Sequence, residues 1–213
     1  MKCQACGEGW SLPITPVGEE SPDYRCDLCL HTSPARQVEQ TTSSWDPVIQ
    51  AVTTFNSTRP AETRSLIAQL ENTFHPHHSV ILDLKINIAN KLCRDDQGLM
   101  ESASPAELED KIGVCEDILS VLSIVYPGLS KYRGLLLHEL SETILIRASK
   151  LFNMENLSKE KFSSDLEKIC SLLEEGIHCL DRDREGSVES QVCANMRKMQ
   201  STTEDFKKFI SFL

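Results

Sequence analysis

Cys3-x2-Cys6 and Cys26-x2-Cys29 are the residues of this 213-residue sequence best suited to chemistry. Two thiolates separated by two residues can chelate one ion from a single tight turn. Two such corners complete the tetrahedral four-sulfur shell that structural zinc prefers. Protein then fills all four positions, leaves no place for a bound water, and makes the expected Zn2+ structural rather than catalytic. The competing readings are four free reduced thiols or a redox-active Cys-x-x-Cys pair. A segment this short has too few apolar residues to fold without a metal staple, and redox chemistry usually places one such motif at a helix start. Cys3, Cys6, Cys26 and Cys29 are therefore the expected metal ligands.

The other polar clusters are weaker. His75-Pro76-His77-His78 invites a metal reading, but without a distant partner, and at a helix start turned by Pro76, a surface or capping role fits better. Cys93, Cys115, Cys170, Cys179 and Cys193 lie on helical segments and read as core thiols. His138 and His178 have no matched Ser, Cys or Asp at a recognisable spacing and read as structural. The sequence shows no phosphate-cradling glycine loop, no Gly-x-Ser-x-Gly elbow and no His-Glu-x-x-His. No residue is assigned a catalytic role.

Charge and composition narrow the partners. The formal net charge of −10 argues against general binding to a phosphate backbone. Within residues 1–33 the cations Lys2 and Arg25 face the anions Glu8, Glu19, Glu20, Asp23 and Asp27, the wrong sign for a nucleic-acid surface. Apolar runs such as Gly134 to Leu137 fall far short of the roughly 20 residues that cross a bilayer, so no membrane span is expected. An odd count of nine cysteines and no apolar leader behind Met1-Lys2 point to a reducing compartment, cytosol or nucleus.

The elements that must hold the cysteines divide the chain. Residues 1–33 carry four of nine Cys, three of nine Pro and three of nine Gly, a loop-rich texture that ends where Ser33 caps and Pro34 opens a helix. The expected domains are thus a cysteine knuckle over 1–33 and an α-helical domain over 34–213. About seven helices are expected. They include Pro34 to Thr54, Pro60 to Phe74, one over Ile81 to Leu92 despite its alternating polarity, and one opened by the capping box Ser104-Pro105-Ala106-Glu107. The last of these carries Leu108, Ile112, Cys115, Leu119, Leu122 and Val125 as one stripe and stops at Tyr126-Pro127-Gly128. Ser130 to Asn153 is apolar around more of its circumference. Two further helices carry stripes from Phe162 to Leu180 and from Val188 to Ile210, parted by Gly186-Ser187. The predicted fold class is mainly α, an antiparallel helix-pair array preceded by a small four-cysteine zinc knuckle.

Two stretches also resemble a known family. Cys3-Gln4-Ala5-Cys6, the loop through Leu12-Pro13 and Pro16, and Tyr24-Arg25-Cys26-Asp27-Leu28-Cys29 look like the cysteine knuckle that follows the SET domain in SMYD-type proteins, the SET- and MYND-domain lysine methyltransferases, of arthropod type. The second stretch runs from His75-Pro76-His77-His78 through Ile81-Leu82-Asp83-Leu84 and Asp110-Lys111-Ile112-Gly113-Val114-Cys115-Glu116. It continues in Tyr126-Pro127-Gly128-Leu129-Ser130-Lys131-Tyr132-Arg133-Gly134-Leu135-Leu136-Leu137-His138-Glu139-Leu140, and is similar to that family's tetratricopeptide-like helical domain. The resemblance implies methyl transfer from S-adenosylmethionine to a protein lysine by a complete parent enzyme, with the helical domain bordering the substrate cleft and binding protein partners. No MYND finger and no Asn-His-x-Cys motif stand in these residues, so no catalytic or cofactor-binding residue carries over. By resemblance the chain is the rear portion of such an enzyme, and the abrupt start at Cys3 suggests a truncated gene product or incomplete gene model.

Overall fold

Short extended segments come first and helices follow. The computed structural model describes residues 1–14, 23–47, 49–50, 60–93 and 100–212. Within them the chain forms strands β1 (Ser11–Pro13), β2 (Tyr24–Cys26) and β3 (Thr32–Ser33). Helices α1 (Ala35–Ser43), α2 (Pro60–Leu70), α3 (Ser79–Lys91), α4 (Pro105–Val125), α5 (Lys131–Asn153), α6 (Lys159–Leu180) and α7 (Val188–Phe212) follow. The described residues are mainly helical with one small sheet. The chain divides into two compact units, Met1–Ile88 and Ala89–Leu213, so the boundary expected at Ser33-Pro34 falls inside the first unit.

The first unit is built on an antiparallel sheet in the order β1-β2-β3, with Ser11 opposite Cys26 and Tyr24 opposite Ser33. Ser33 is thus a strand residue, and Pro34, with extended backbone angles, is itself the N-cap of α1 instead of its first helical residue. Pairing with Tyr24 holds Ser33 extended, so the helix starts one residue later than expected. The anticipated end of that helix at Thr54, and Pro16 of the loop, lie outside the described residues. Among the described residues, two hydrogen bonds tie the sheet segment to α1 and one ties it to the turn after α2. Gln37 Nε2 donates to Gln4 Oε1 at 2.7 Å, the Ala35 amide donates to Asp23 Oδ1 at 3.4 Å, and the Lys2 amide donates to Thr73 O at 2.7 Å. The alternating segment at Leu82 to Ile88 is helical: Ile81, Leu84 and Ile88, spaced for one helix face, are all buried.

The second unit stacks α4 to α7 as consecutive helix pairs, α4 on α5, α5 on α6 and α6 on α7, with a lighter contact between α5 and α7. The capping box forms as expected: Ser104 Oγ accepts from the Glu107 amide at 3.3 Å, and Glu107 Oε2 accepts from the Ser104 amide at 2.8 Å. The buried stripe of α4 differs from the expected one. Ile118, Val121 and Lys111 join it, while Val125 is 55% exposed, because the face follows the true helical period and drifts off the chosen positions by the last turn.

Lys111 is the unexpected member. Its side chain is fully buried, its Nζ donates to Leu92 O at 3.0 Å, and it forms an ion pair with the nearly buried Glu139 of α5. Leu92 follows α3, and its carbonyl is one of the orphan acceptors a helix end leaves behind. Closer to solvent, Arg147 of α5 pairs with Glu109 of α4 and with Asp165 of α6 at 2.9 Å. Lys168 of α6 reaches Glu116 of α4 at 2.7 Å, so three helices share one charged seam.

Removing one partner of a buried ion pair leaves the desolvation of the other poorly compensated. Lys111→Met is expected to destabilise the second unit by about 3–5 kcal/mol through loss of its buried ion pair with Glu139. The double variant Lys111→Met with Glu139→Leu should recover most of that loss. Urea unfolding of the full chain followed by far-ultraviolet circular dichroism checks both.

Candidate metal centre

Both chelating corners are tight turns followed by one residue in the left-handed region. Gly7 after Cys6 has φ 71°, and Leu30 after Cys29 has φ 60°. Glycine adopts this backbone freely, whereas leucine does so at a cost of roughly 1–2 kcal/mol, so something must hold the second corner shut. The sheet supplies part of that. The Cys26 amide donates to His31 O at 2.9 Å, closing the turn, and the Cys3 amide donates to Gly9 O at 2.7 Å.

The four sulfurs converge. Cys3 Sγ lies 3.7 Å from Cys29 Sγ and Cys6 Sγ lies 3.8 Å from Cys26 Sγ, and all four lie within 4.8 Å of one another. Metal–sulfur bonds of about 2.3 Å in a tetrahedron place the sulfurs about 3.8 Å apart, so these thiols already stand at the edges of such a shell. The backbone supports the anionic form of the ligands. The Gly9 amide donates to Cys6 Sγ, and the Leu28 and Cys29 amides donate to Cys26 Sγ, each at 3.4 Å. The site fits a tetrahedral metal ion by spacing, donor chemistry and amide support.

Protonation follows from the same contacts. Amides of Gly9 and Glu8 hold the Cys6 thiol down to about 6. Amides, first that of Cys6, also draw Cys3 below its usual value against the opposing effect of burial. At Cys29 the His31 amide pulls down, but burial and hydrogen bonds from Cys26, Cys3 and Cys6 outweigh it and push the thiol up to about 12. Thiolates this close repel one another, and a divalent cation bound among them would offset that repulsion.

Several supporting residues were not legible as such in the sequence. Gly9 is buried against the site, and a Cβ there would strike Cys26 Sγ and come within 2.7 Å of Asp27 Oδ1. Asp27 Oδ1 accepts from the Trp10 amide at 2.7 Å, and the Asp27 amide donates to Trp10 O at 3.1 Å, clamping the second corner to the strand leading into β1. The Trp10 ring in turn meets His75 edge-on, with centroids 4.7 Å apart.

That contact gives the His-Pro-His-His segment its place. His75 Nδ1 accepts from the His77 amide at 3.0 Å, and His78 Nδ1 accepts from the Val80 amide at 3.4 Å, capping the start of α3. Burial, with help from neighbouring His rings and the Met1 amine, lowers both His75 and His78 below the usual 6.5. Among the described residues, no group able to hold a metal includes them.

The helical cysteines divide by burial. Cys115, Cys170 and Cys193 are buried, and burial is the main force raising their thiols, Cys115 to about 12 and Cys170 to about 11. Cys93 and Cys179 are only half-buried, contrary to a uniform core reading. Cys93 sits at φ 64° just past α3, donates its S–H to Glu107 O at 3.1 Å and packs at the edge of the cluster of Met100, Ala103 and Leu108. His178 is exposed on α6. His138 converges with Glu139 and Glu142, but Glu139 is committed to Lys111. No protein-family model matches the chain and no curated protein matches it.

Metal removal has a local readout, since Trp10 and Trp45, the chain's two tryptophans, both lie in the first unit. Chelation is expected to shift their emission while most far-ultraviolet helical signal persists. Gly9→Ala should weaken metal binding about 10- to 100-fold, the usual scale for a residue supporting the ligands. Acid should act in one direction. Because His75 and His78 have folded values below 6.5, the unfolded chain binds more protons, and first-unit stability, fully present above about pH 6.5, declines as pH falls below it. Tryptophan-monitored urea midpoints at pH 7.5 and 5.5 test the sign.

Proposed function

We propose that Cys3, Cys6, Cys26 and Cys29 hold one structural Zn2+, and that the chain is the zinc and helical partner-binding portion of a SMYD-like protein-lysine methyltransferase, without methyl-transfer chemistry of its own. Sulfur-only coordination closed by protein supports the structural role of the ion. The family part rests on the resemblance of the two quoted stretches.

One observation carries the binding part. His138, Glu142, Leu145 and Ile146 of α5 face Asn195, Lys198, Met199 and Thr202 of α7 across a groove of about 390 Å³. The sequence stripe of α7 reads as core, yet Val188 is 66% exposed and Phe206 38% exposed, and Val192 and Met199 are only half-buried. An apolar helix face that its own fold covers this incompletely suits a peptide segment laid along it. Mixed polarity, with Glu142, Lys198 and Asn195 among the apolar walls, suits a peptide carrying charge and argues for a protein ligand.

A second reading is a stand-alone zinc-plus-helix scaffold that binds another protein through the same groove. The groove is built wholly within Ala89–Leu213, which favours a module able to work without a SET polypeptide. An upstream transcript continuing in frame into a SET domain decides for the first reading, and a stop codon closing that frame decides for the scaffold.

Fluorescence anisotropy with labelled histone-tail peptides tests the groove on the full zinc-loaded chain. Met199→Glu is expected to weaken binding about tenfold or more while leaving circular dichroism unchanged, as for a contact at the centre of a small interface. Peptides indifferent to that variant would count against the groove. Methyl transfer from S-adenosylmethionine above the level of a chelator-stripped control would overturn the non-catalytic assignment.

A further inference from the structure

We infer that the four-cysteine site is also an oxidation site, at which a peroxide replaces the metal link between the two corners with disulfides running across them, Cys3 to Cys29 and Cys6 to Cys26. The inference rests on the zinc reading above and extends it to what the ligands do under oxidant.

The sulfurs are unequal in access. Cys6 and Cys29 are exposed, whereas Cys3 and Cys26 are 2% and 1% exposed. Each exposed sulfur lies next to a buried one of the opposite corner, Cys29 at 3.7 Å from Cys3 and Cys6 at 3.8 Å from Cys26. A disulfide needs about 2.05 Å between sulfurs, so each pair must close by less than a bond radius on either side. The arrangement pairs one thiol that a solvent oxidant can reach with one that it cannot reach but that can resolve the product.

The chemistry balances. The Cys6 thiolate attacks hydrogen peroxide; an S–O bond forms, the O–O bond breaks, and hydroxide leaves with Cys6 as the sulfenic acid. The Cys26 thiolate then attacks that sulfur; the S–S bond forms, the S–O bond breaks, and a second hydroxide leaves. Two thiolates are oxidised to one disulfide and one peroxide is reduced to two hydroxides. Cys29 and Cys3 repeat the sequence with a second peroxide, and the ion is lost with its ligands. Crossed bridges keep the corners joined, so β1 and β2 can hold their register after the metal has gone, whereas bridges within each Cys-x-x-Cys would leave the corners unlinked.

Trypsin separates bridges across the corners from bridges within them, and fragment spectra of the linked pair, cut between Cys3 and Cys6 and between Cys26 and Cys29, assign which sulfurs are joined. It cuts after Lys2, Arg25 and Arg36, which puts Cys3 and Cys6 on one peptide and Cys26 and Cys29 on the next. Zinc content of the purified full chain is measured first, and a chain that binds none under reducing conditions removes the zinc reading and this inference together. Zinc-loaded protein is then treated with a few equivalents of hydrogen peroxide, released zinc is followed with a chromogenic chelator, and remaining thiols are alkylated before digestion without reductant. The expected result is zinc release together with peptides 3–25 and 26–36 joined by two bridges, with Cys115, Cys170 and Cys193 alkylated as free thiols. Dithiothreitol with added zinc should restore the tryptophan emission. Zinc retained under peroxide, unlinked peptides bridged internally, or sulfinic acid at Cys6 and Cys29 each overturns the inference while leaving the zinc reading standing.

Discussion

Four thiols held within 4.8 Å of one another are the constraint on which the first unit depends. Ionised together they repel, and a cation bound among them, as proposed, would offset that repulsion. The rest of the unit is arranged to keep that closure geometrically possible. Gly9 removes a side chain where Cys26 must pass, Asp27 clamps Trp10, and three short strands bring Ser11 opposite Cys26. A three-stranded sheet with strands this short has little hydrophobic face of its own, so its stability must come from outside it, by docking on the segment between α2 and α3 and, on the zinc reading, from the metal. The Lys2 to Thr73 hydrogen bond and the Trp10–His75 contact are that docking.

The second unit solves a different problem. Its helices bury enough Leu and Ile to need no staple, but α4 carries Lys111 into the core. The ammonium is tolerated because it meets Glu139 and the orphan carbonyl of Leu92, so one buried cation serves both an ion pair and a helix end. Such a pair adds little net stability over an apolar pair, yet it penalises any register of α4 on α5 that separates its members. The outer seam of Glu109, Arg147, Asp165 and Lys168 extends the same selection to α6.

What was legible in the sequence was local. The capping box at Ser104, the stop at Tyr126-Pro127-Gly128 and the two Cys-x-x-Cys corners are each encoded within a few residues, and each stands where expected. The sheet was not legible because a period of two cannot be read from two or three residues flanked by Gly and Pro. The division at Ile88 was not legible because it is set by long-range contacts: Thr73 and His75 belong with the cysteine segment through an amide and a ring, neither of which leaves a pattern along the chain. Lys111 did leave a signal. It sits three residues after Leu108 and four before Cys115, on the apolar face, and a charge in that position asks for a buried partner. The incomplete burial of α7 depends on how far its neighbours reach across it, which no stripe of its own residues encodes.

The two units divide the labour proposed for the chain, one keeping a metal-closed fold and the other presenting a groove. The metal-closed fold is the claim from which the account of the cysteines follows, and X-ray absorption at the zinc edge of the purified, zinc-loaded chain tests it most directly. Four-thiolate coordination gives a single shell of four sulfur scatterers at about 2.3 Å, with no light-atom contribution. A shell containing nitrogen or oxygen at about 2.0–2.1 Å would mean that His75 or water has taken a cysteine's place and would contradict it.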